Sequence, residues 1–346
     1  MSFIDKYKNK GLSGLSNLGN TCFINSCMQV LSHTYELNEF LNTEHFKKKL
    51  KNKHDSALLL EWDNLRQLLW SNNCIVSPGK FIKTIQKLAQ IKDMELFTGY
   101  SQNDLPEFLL FVIDCFHNSL SREIKMTISG AVENETDTVA VKCLEMVKNM
   151  YSKDYSEVWN LFYAVHVSEI SKLETGERIK ITPEPYFMID LPIPPNNKSP
   201  TLLECFDLYV EGELLEGENA WYNDKTKQKV NIKKQIRFWS FPNILVIDFK
   251  RFNHRNQKNQ ILIDFPLDNL DLSKYVIGYK KNSYTYELYG VCNHSGGVLG
   301  GHYTSYIKTS TNKWYHINDT IVTHIKDAKS IITTQAYCLF YRKKST

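Results

Sequence analysis

The chain is predicted to be an α+β protein, helical at the front and sheet-rich at the back. Over the first ~120 positions, apolar residues recur at helical spacing. From about residue 160 onward they form short runs rich in β-branched and aromatic side chains. No internal repeat or long linker divides the 346 residues, a length that suits one large domain or two ordinary ones.

The first helix is marked by Phe23, Cys27, Val30 and Leu31, spaced to share one face. Leu58 to Trp70 and Phe81 to Ile91 repeat the pattern, the second after a Ser77-Pro78 start signal. A fourth helix runs from about Asp104 through Phe108, Leu109, Val112, Ile113 and Phe116. Between 121 and 160 periodicity does not decide: Val132 to Thr138 reads as a polar loop, and Val139 to Met150 as a helix or not. Pro192, Pro194, Pro195 and Pro200 punctuate a loop. The strands that follow are Asn243 to Phe249, Tyr284 to Asn293, His302 to Lys308, Lys313 to Ile317 and Ala336 to Arg342.

With 42% hydrophobic and 23% charged residues, the composition excludes a collagenous or wholly disordered chain. The net charge is only +4, and the basic runs, such as Lys47-Lys48-Lys49 and Arg342-Lys343-Lys344, are short. No nucleic-acid partner is expected. No stretch approaches ~18 consecutive apolar residues, so no membrane span is expected. The polar N-terminus lacks a signal-peptide core. Eight scattered cysteines without a Cys-x-x-Cys pair argue for reduced thiols, with no zinc and no other cofactor. The expected location is the cytoplasm or nucleus, not the secreted space.

The segment Gly14-Leu-Ser-Asn17-Leu-Gly19-Asn20-Thr21-Cys22-Phe23-Ile-Asn-Ser26 is the most informative. Gly19-Asn20 reads as a turn and Thr21 as an N-cap, which puts Cys22 at the first helical position. A helix N-terminus and a nearby imidazolium lower a thiol pKa, making the thiolate a nucleophile at neutral pH. Asn17 is placed to offer its amide to a developing oxyanion. By position alone, Cys22 is also compatible with an inert buried thiol; Cys27, on the apolar stripe, reads as core.

A second segment, Tyr289-Gly-Val-Cys-Asn-His294-Ser-Gly-Gly-Val-Leu-Gly300-Gly301-His302-Tyr-Thr, reads as a strand, a glycine-rich loop from 295 to 301, and His302 opening the next strand. That junction suits a general base, and equally a structural histidine; His294 reads as a loop brace. In Trp314-Tyr-His316-Ile-Asn318-Asp319, either Asn318 or Asp319 could accept the imidazole N–H. His316 shares a strand face with Asn318 and reads as packing or surface.

Together these boxes resemble the ubiquitin-specific protease family of deubiquitinases. The resemblance rests on Gly-Leu-x-Asn-Leu-Gly-Asn-Thr-Cys22-Phe-Ile-Asn-Ser, on Gly300-Gly301-His302-Tyr-Thr, and on Trp314-Tyr-x-Ile-Asn-Asp319. Gln102-Asn-Asp104-Leu-Pro-Glu107-Phe, Pro242 to Phe252 and Ala336 to Arg342 also match. It implies one catalytic domain over residues 12–343, with a papain-like cysteine protease core. A helical thumb would cover about 12–125, and a β palm and fingers about 160–343, with 126–159 an ambiguous insertion. Cys22 would be the nucleophile, His302 the base, Asn318 the orienter assisted by Asp319, and Asn17 the oxyanion-hole residue. Gly300 and Gly301 would border a channel for the Gly-Gly tail of ubiquitin. Asp104 and Glu107 would meet the arginines of that tail, or else form a capping-box-like pair. The implied partner is ubiquitin or ubiquitinated proteins. Where many such chains carry two zinc-binding Cys-x-x-Cys pairs in the fingers, this one has none. Acidic Glu211, Glu213, Glu216 and Glu218 stand there beside basic residues from Lys225 to Arg237. Two alternatives remain: a protease for another ubiquitin-like modifier, and a non-catalytic ubiquitin-binding pseudoenzyme.

Overall fold

The computed structural model describes residues 3–344 apart from 52, 225 and 299. Lys225 of the basic finger run, Leu299 of the glycine-rich segment and the first two N-terminal residues lie outside the described residues. The helices are α1 Cys22–Ser32, α2 Tyr35–Asn42, α3 His45–Lys49, α4 His54–Ser71, α5 Gly79–Ile91, α6 Leu105–Leu120, α7 Glu135–Tyr151, α8 Glu157–Phe162 and α9 Leu202–Glu211. The strands are β1 Gly14–Leu15, β2 Ile75–Val76, β3 Ala164–Lys172, β4 Arg178–Tyr186, β5 Met188–Leu191, β6 Glu213–Leu215, β7 Trp221–Asn223, β8 Gln228–Val230, β9 Ile232–Phe238, β10 Ile244–Phe249, β11 Leu270–Asp271, β12 Thr285–Gly297, β13 Gly300–Lys308, β14 Trp314–Asn318, β15 Ile321–Ile325 and β16 Ala336–Lys343. The α+β expectation and the four front helices hold.

The main sheet runs β15-β14-β13-β12-β16-β10-β5, with β11 on β12. Side chains alternate across it, as the strand period requires. Ile244 and Val246 of β10 join the helical core, while Leu245, Ile247 and Phe249 pack with Leu202, Cys205 and Phe206 of α9. A second sheet, β4-β3-β9-β6, and the separate β7–β8 hairpin form the fingers. Among the described residues no group of His, Cys, Asp or Glu gathers there to hold a metal.

Helix α1 is the wedge between helices and sheet, and all its residues are buried. Phe23 meets Phe108 of α6 edge-to-face at 5.3 Å between ring centroids. On the sheet side, Val30 sits on Gly290 of β12; a Cβ there would lie 2.2 Å from Val30 Cγ1. Only glycine lets the helix lie this close. Gly290→Ala is therefore expected to destabilise the fold by about 1–3 kcal/mol. Val30→Ala should recover part of that loss in the double variant, as read by urea unfolding.

Three expectations need correction. Val132 to Thr138 is not all loop: α7 begins at Glu135, because Asn134 and Asp137 form a reciprocal capping box. Helix α2 was not foreseen; its Glu36 is held by buried Arg342 of β16 at 2.5 Å, a contact from the far end of the chain. The glycine-rich segment is mostly not loop. Ser295 pairs with His302, Gly296 with Gly301 and Gly297 with Gly300, so His302 is the third residue of β13.

Candidate active site

The loop leading to Cys22 is braced before the helix begins. Leu15 N–H donates to the Asp319 carbonyl at 2.8 Å, tying the loop to the end of β14. Gly19 (φ +105°) and Asn20 (φ +51°) make the expected turn. Asn17 Oδ1 accepts from Gly19 N–H (3.1 Å) and Thr21 N–H (3.2 Å). Thr21 stands at the N-cap position, but its hydroxyl makes no cap bond. It donates to Asn17 Oδ1 and accepts from Leu18 N–H instead.

Cys22 opens α1 as expected and is 2% exposed. Burial is the largest influence on its thiol and pushes its pKa up. The Tyr303 N–H opposes that shift, and the Asp319 charge adds to it. Burial therefore favours the thiol and works against the lowering that helix position alone suggested. The helix end acts, but desolvation outweighs it.

His302 Nε2 lies 2.7 Å from Asn318 Oδ1, so Asn318 rather than Asp319 orients the ring. This fixes the proton on Nε2 and leaves Nδ1 free to accept. Asp319 works on the other side. Its carboxylate accepts from Asn17 Nδ2 (3.0 Å) and Asn25 Nδ2 (2.7 Å), from a left-handed backbone at φ +49°. One amide hydrogen of Asn17 remains to donate elsewhere. His316 lies near His302; burial, then the His302 charge, lowers its pKa.

Behind the hairpin, His294 is pulled down to about 4 by burial and is neutral. Lys258 Nζ lies 3.0 Å from its Nδ1 and is itself lowered to about 8. A Cβ on Gly301 would come 2.3 Å from His294 Nε2, so this position admits only glycine. At Gly300 a Cβ would meet nothing within 4 Å.

Asp104 is the N-cap of α6, but its side chain does not cap. Its Oδ1 accepts from the hydroxyls of Tyr303 (3.1 Å) and Tyr337 (3.0 Å), across from the sheet. Burial raises its pKa above the usual carboxylate range. Glu107 is exposed and makes no ion pair or hydrogen bond among the described residues.

Two residues of this cleft lie in segments matched by sequence but were given no role there. Asp248 of β10 is 8% exposed with Oδ1 unpartnered. It is paired in register with Asp190 of β5. Burial, then the charges of Asp104 and Asp190, raise its pKa well above the usual range. A lone acid inside the run Ile-Leu-Val-Ile-Asp-Phe was the available signal. Gln102 bonds twice to Gly301 across the cleft (2.7 and 2.8 Å), and no local pattern announces that contact.

Three kinds of likeness bear on this arrangement. A family model described as ubiquitin carboxyl-terminal hydrolase matches residues 13–341. Ubiquitin carboxyl-terminal hydrolase 2 of Homo sapiens is 32% identical over 346 residues, covering 97% of this chain and 56% of that protein. The Gallus gallus counterpart is 33% identical, and the chain covers 94% of it. Against the Drosophila melanogaster, Bos taurus and Homo sapiens proteins, however, the chain spans only 35% to 56% of their length. In structure, a chain of the SAGA Ubp8/Sgf11/Sus1/Sgf73 DUB module bound to ubiquitin aldehyde matches with a TM-score of 0.75 at 24% identity. That match covers 98% of this chain and 71% of the other, and it speaks to the fold.

Proposed function

Because the chain belongs to the ubiquitin carboxyl-terminal hydrolase family, we propose that it is a thiol hydrolase that cleaves the bond after the C-terminal glycine of ubiquitin. The observation that supports this reading is the His302–Asn318 bond at 2.7 Å, flanked by Tyr303 and Asp319, whose backbone N–H and charge act on the Cys22 thiol.

The chemistry follows from the geometry. Cys22 Sγ attacks the carbonyl carbon of the terminal glycine while its proton passes to His302 Nδ1. Asn17 Nδ2 and the N–H groups at the start of α1 face the developing oxyanion. The amine leaves with the proton from His302, giving a thioester. Water, deprotonated by His302, then releases the acid. No cofactor takes part. Burial favours the thiol form of Cys22, so its proton transfer to His302 accompanies the attack. Residues 12–125 act as the thumb and 160–343 as palm and fingers, with 126–159 bridging them through α7 and α8.

Asp104 and Glu107 form an acidic wall for basic side chains of the tail, deepened by Asp190 and Asp248. Cation binding favours ionised carboxylates, and the pKa values of Asp104 and Asp248 are raised. Affinity should therefore fall as pH drops through those raised values. Ubiquitin binding to the Cys22→Ala variant is expected to weaken severalfold as the pH is lowered from neutrality. Asp104→Asn should weaken it roughly tenfold at neutral pH and flatten the profile. A pH-independent Kd would remove this role.

No helix among the described residues is long and apolar enough to cross a membrane. All eight cysteines are free, including the cross-strand neighbours Cys292 and Cys338. A reducing compartment, cytoplasm or nucleus, suits a site that depends on a reduced thiol.

The deciding experiment uses ubiquitin carrying a C-terminal electrophile, read by intact mass. One added ubiquitin, absent in Cys22→Ala, is the expected result. A folded protein that reacts only with another modifier's probe would replace ubiquitin as substrate. One that binds but never reacts would be a pseudoenzyme.

A further inference from the structure

β13 is covered unevenly. β12 pairs along one side, with Gly296 opposite Gly301. β14 pairs along the other only from Ser305 onward. The stretch from Gly300 to Thr304 therefore has a backbone edge that no strand takes, and it faces the helical lobe. On that edge Gly301 N–H donates to Gln102 Oε1 at 2.8 Å, and Gln102 Nε2 donates to the Gly301 carbonyl at 2.7 Å. The N–H and C=O of one strand residue point the same way, so this is the pair of bonds a neighbouring strand would make. Two residues on, Tyr303 N–H points to the same side and reaches the Cys22 sulfur. Two residues of strand rise about 6.6 Å. The side-chain amide and the thiol thus lie along one short edge.

We propose that Gln102 is an internal competitor for the substrate's main chain: its carboxamide holds the Gly301 hydrogen-bonding pair that an extended tail takes when its terminal carbonyl reaches Cys22. This rests on the hydrolase reading above. An amide is the side chain that can donate and accept at once in this way, as a peptide unit does. Gly301 offers a ligand only its backbone, since His294 and Ser295 leave no room for a Cβ. Gln102 is exposed, so leaving the edge strands none of its polar atoms. It acts through Gly301 and is a positioning residue: it keeps the edge ordered while empty and gives way when the tail arrives.

The test compares wild type with Gln102→Ala and the longer, non-bonding Gln102→Met on a ubiquitin substrate. Without the competitor, KM is expected to fall about threefold to tenfold, the worth of one to two modest hydrogen bonds, and the gain appears in KM rather than kcat. At sub-saturating electrophilic ubiquitin, adduct formation should speed up by the same factor. In the wild-type adduct, the Gln102 side-chain amide resonances should move to solvent-like positions. An unchanged or higher KM in both variants, or a loss confined to kcat, would overturn the competitor. Such a loss would instead make Gln102 a support for His302. Wild type that reacts while the variants show no gain would sink this inference alone. Wild type that never reacts with ubiquitin would sink the hydrolase reading and this inference together.

Discussion

Cys22→Ala will abolish turnover of ubiquitin conjugates while leaving the protein folded and able to bind ubiquitin. The drop in kcat should be roughly 10⁴-fold or more, because removing a nucleophile leaves only binding and oxyanion contacts. The fold should barely notice. Cys22 is buried at the start of α1, beside Phe23 and the Tyr303 backbone, and the change deletes a single sulfur from that packing. Loss of the mass adduct, with an unchanged unfolding midpoint and an intact ubiquitin titration, is the expected combined result. Residual turnover within tenfold of wild type would mean that another thiol does the chemistry. Cys27, Cys292 and Cys338 offer no ready substitute: they are sealed in the core, and burial alone or first raises each of their pKa values.

Asp319→Asn should lower kcat/KM roughly a hundredfold, the scale of losing one well-placed oxyanion donor. The carboxylate now accepts from two amides, Asn17 Nδ2 and Asn25 Nδ2. An asparagine there has one acceptor oxygen to share between them, so one donor is left facing an NH₂ group and Asn17 drifts. The backbone itself is safe, since asparagine tolerates the left-handed conformation at φ +49°. The pH profile carries the sign. Asp319's negative charge helps raise the Cys22 thiol. Removing it lowers that pKa, so the pH limb for alkylation of Cys22 by a small electrophile should move to lower pH even as the kcat/KM plateau falls. General damage to the fold would lower the plateau without moving the limb. A plateau within twofold of wild type would show that Asn17 needs no such brace.

What could be read from the sequence was what neighbours in the chain decide. The turn at Gly19-Asn20, the opening of α1 at Cys22 and the strand carrying Asn318 are each set by a few adjacent residues, and each was foreseen. What could not be read depends on partners far along the chain. The state of the Cys22 thiol follows from burial between α6 and β13, and sequence position alone pointed the other way. Asp104 was expected to meet the arginines of the tail or else to pair with Glu107 as a cap; that two tyrosines from the sheet claim its carboxylate was not legible. The glycine-rich stretch looked like a loop because glycine disfavours strands, yet β12 and β13 continue through most of it once the hairpin is anchored by His294 and Ser295. Helix α2 has an interrupted apolar pattern, and Arg342, 306 residues away, holds it down.

β16 is the last strand in chain order, yet it lies inside the main sheet between β12 and β10. It brings Tyr337 to Asp104 and Arg342 to Glu36. Without it, β12 and β10 each present an unpaired edge and the acidic wall lacks one of its anchors. Cys22 precedes β16 by most of this stretch of chain, so synthesis delivers that thiol long before the strand that completes the cleft. The cleft closes only when β16 inserts, and until then the open edges of β12 and β10 are places for a partly folded chain to stick.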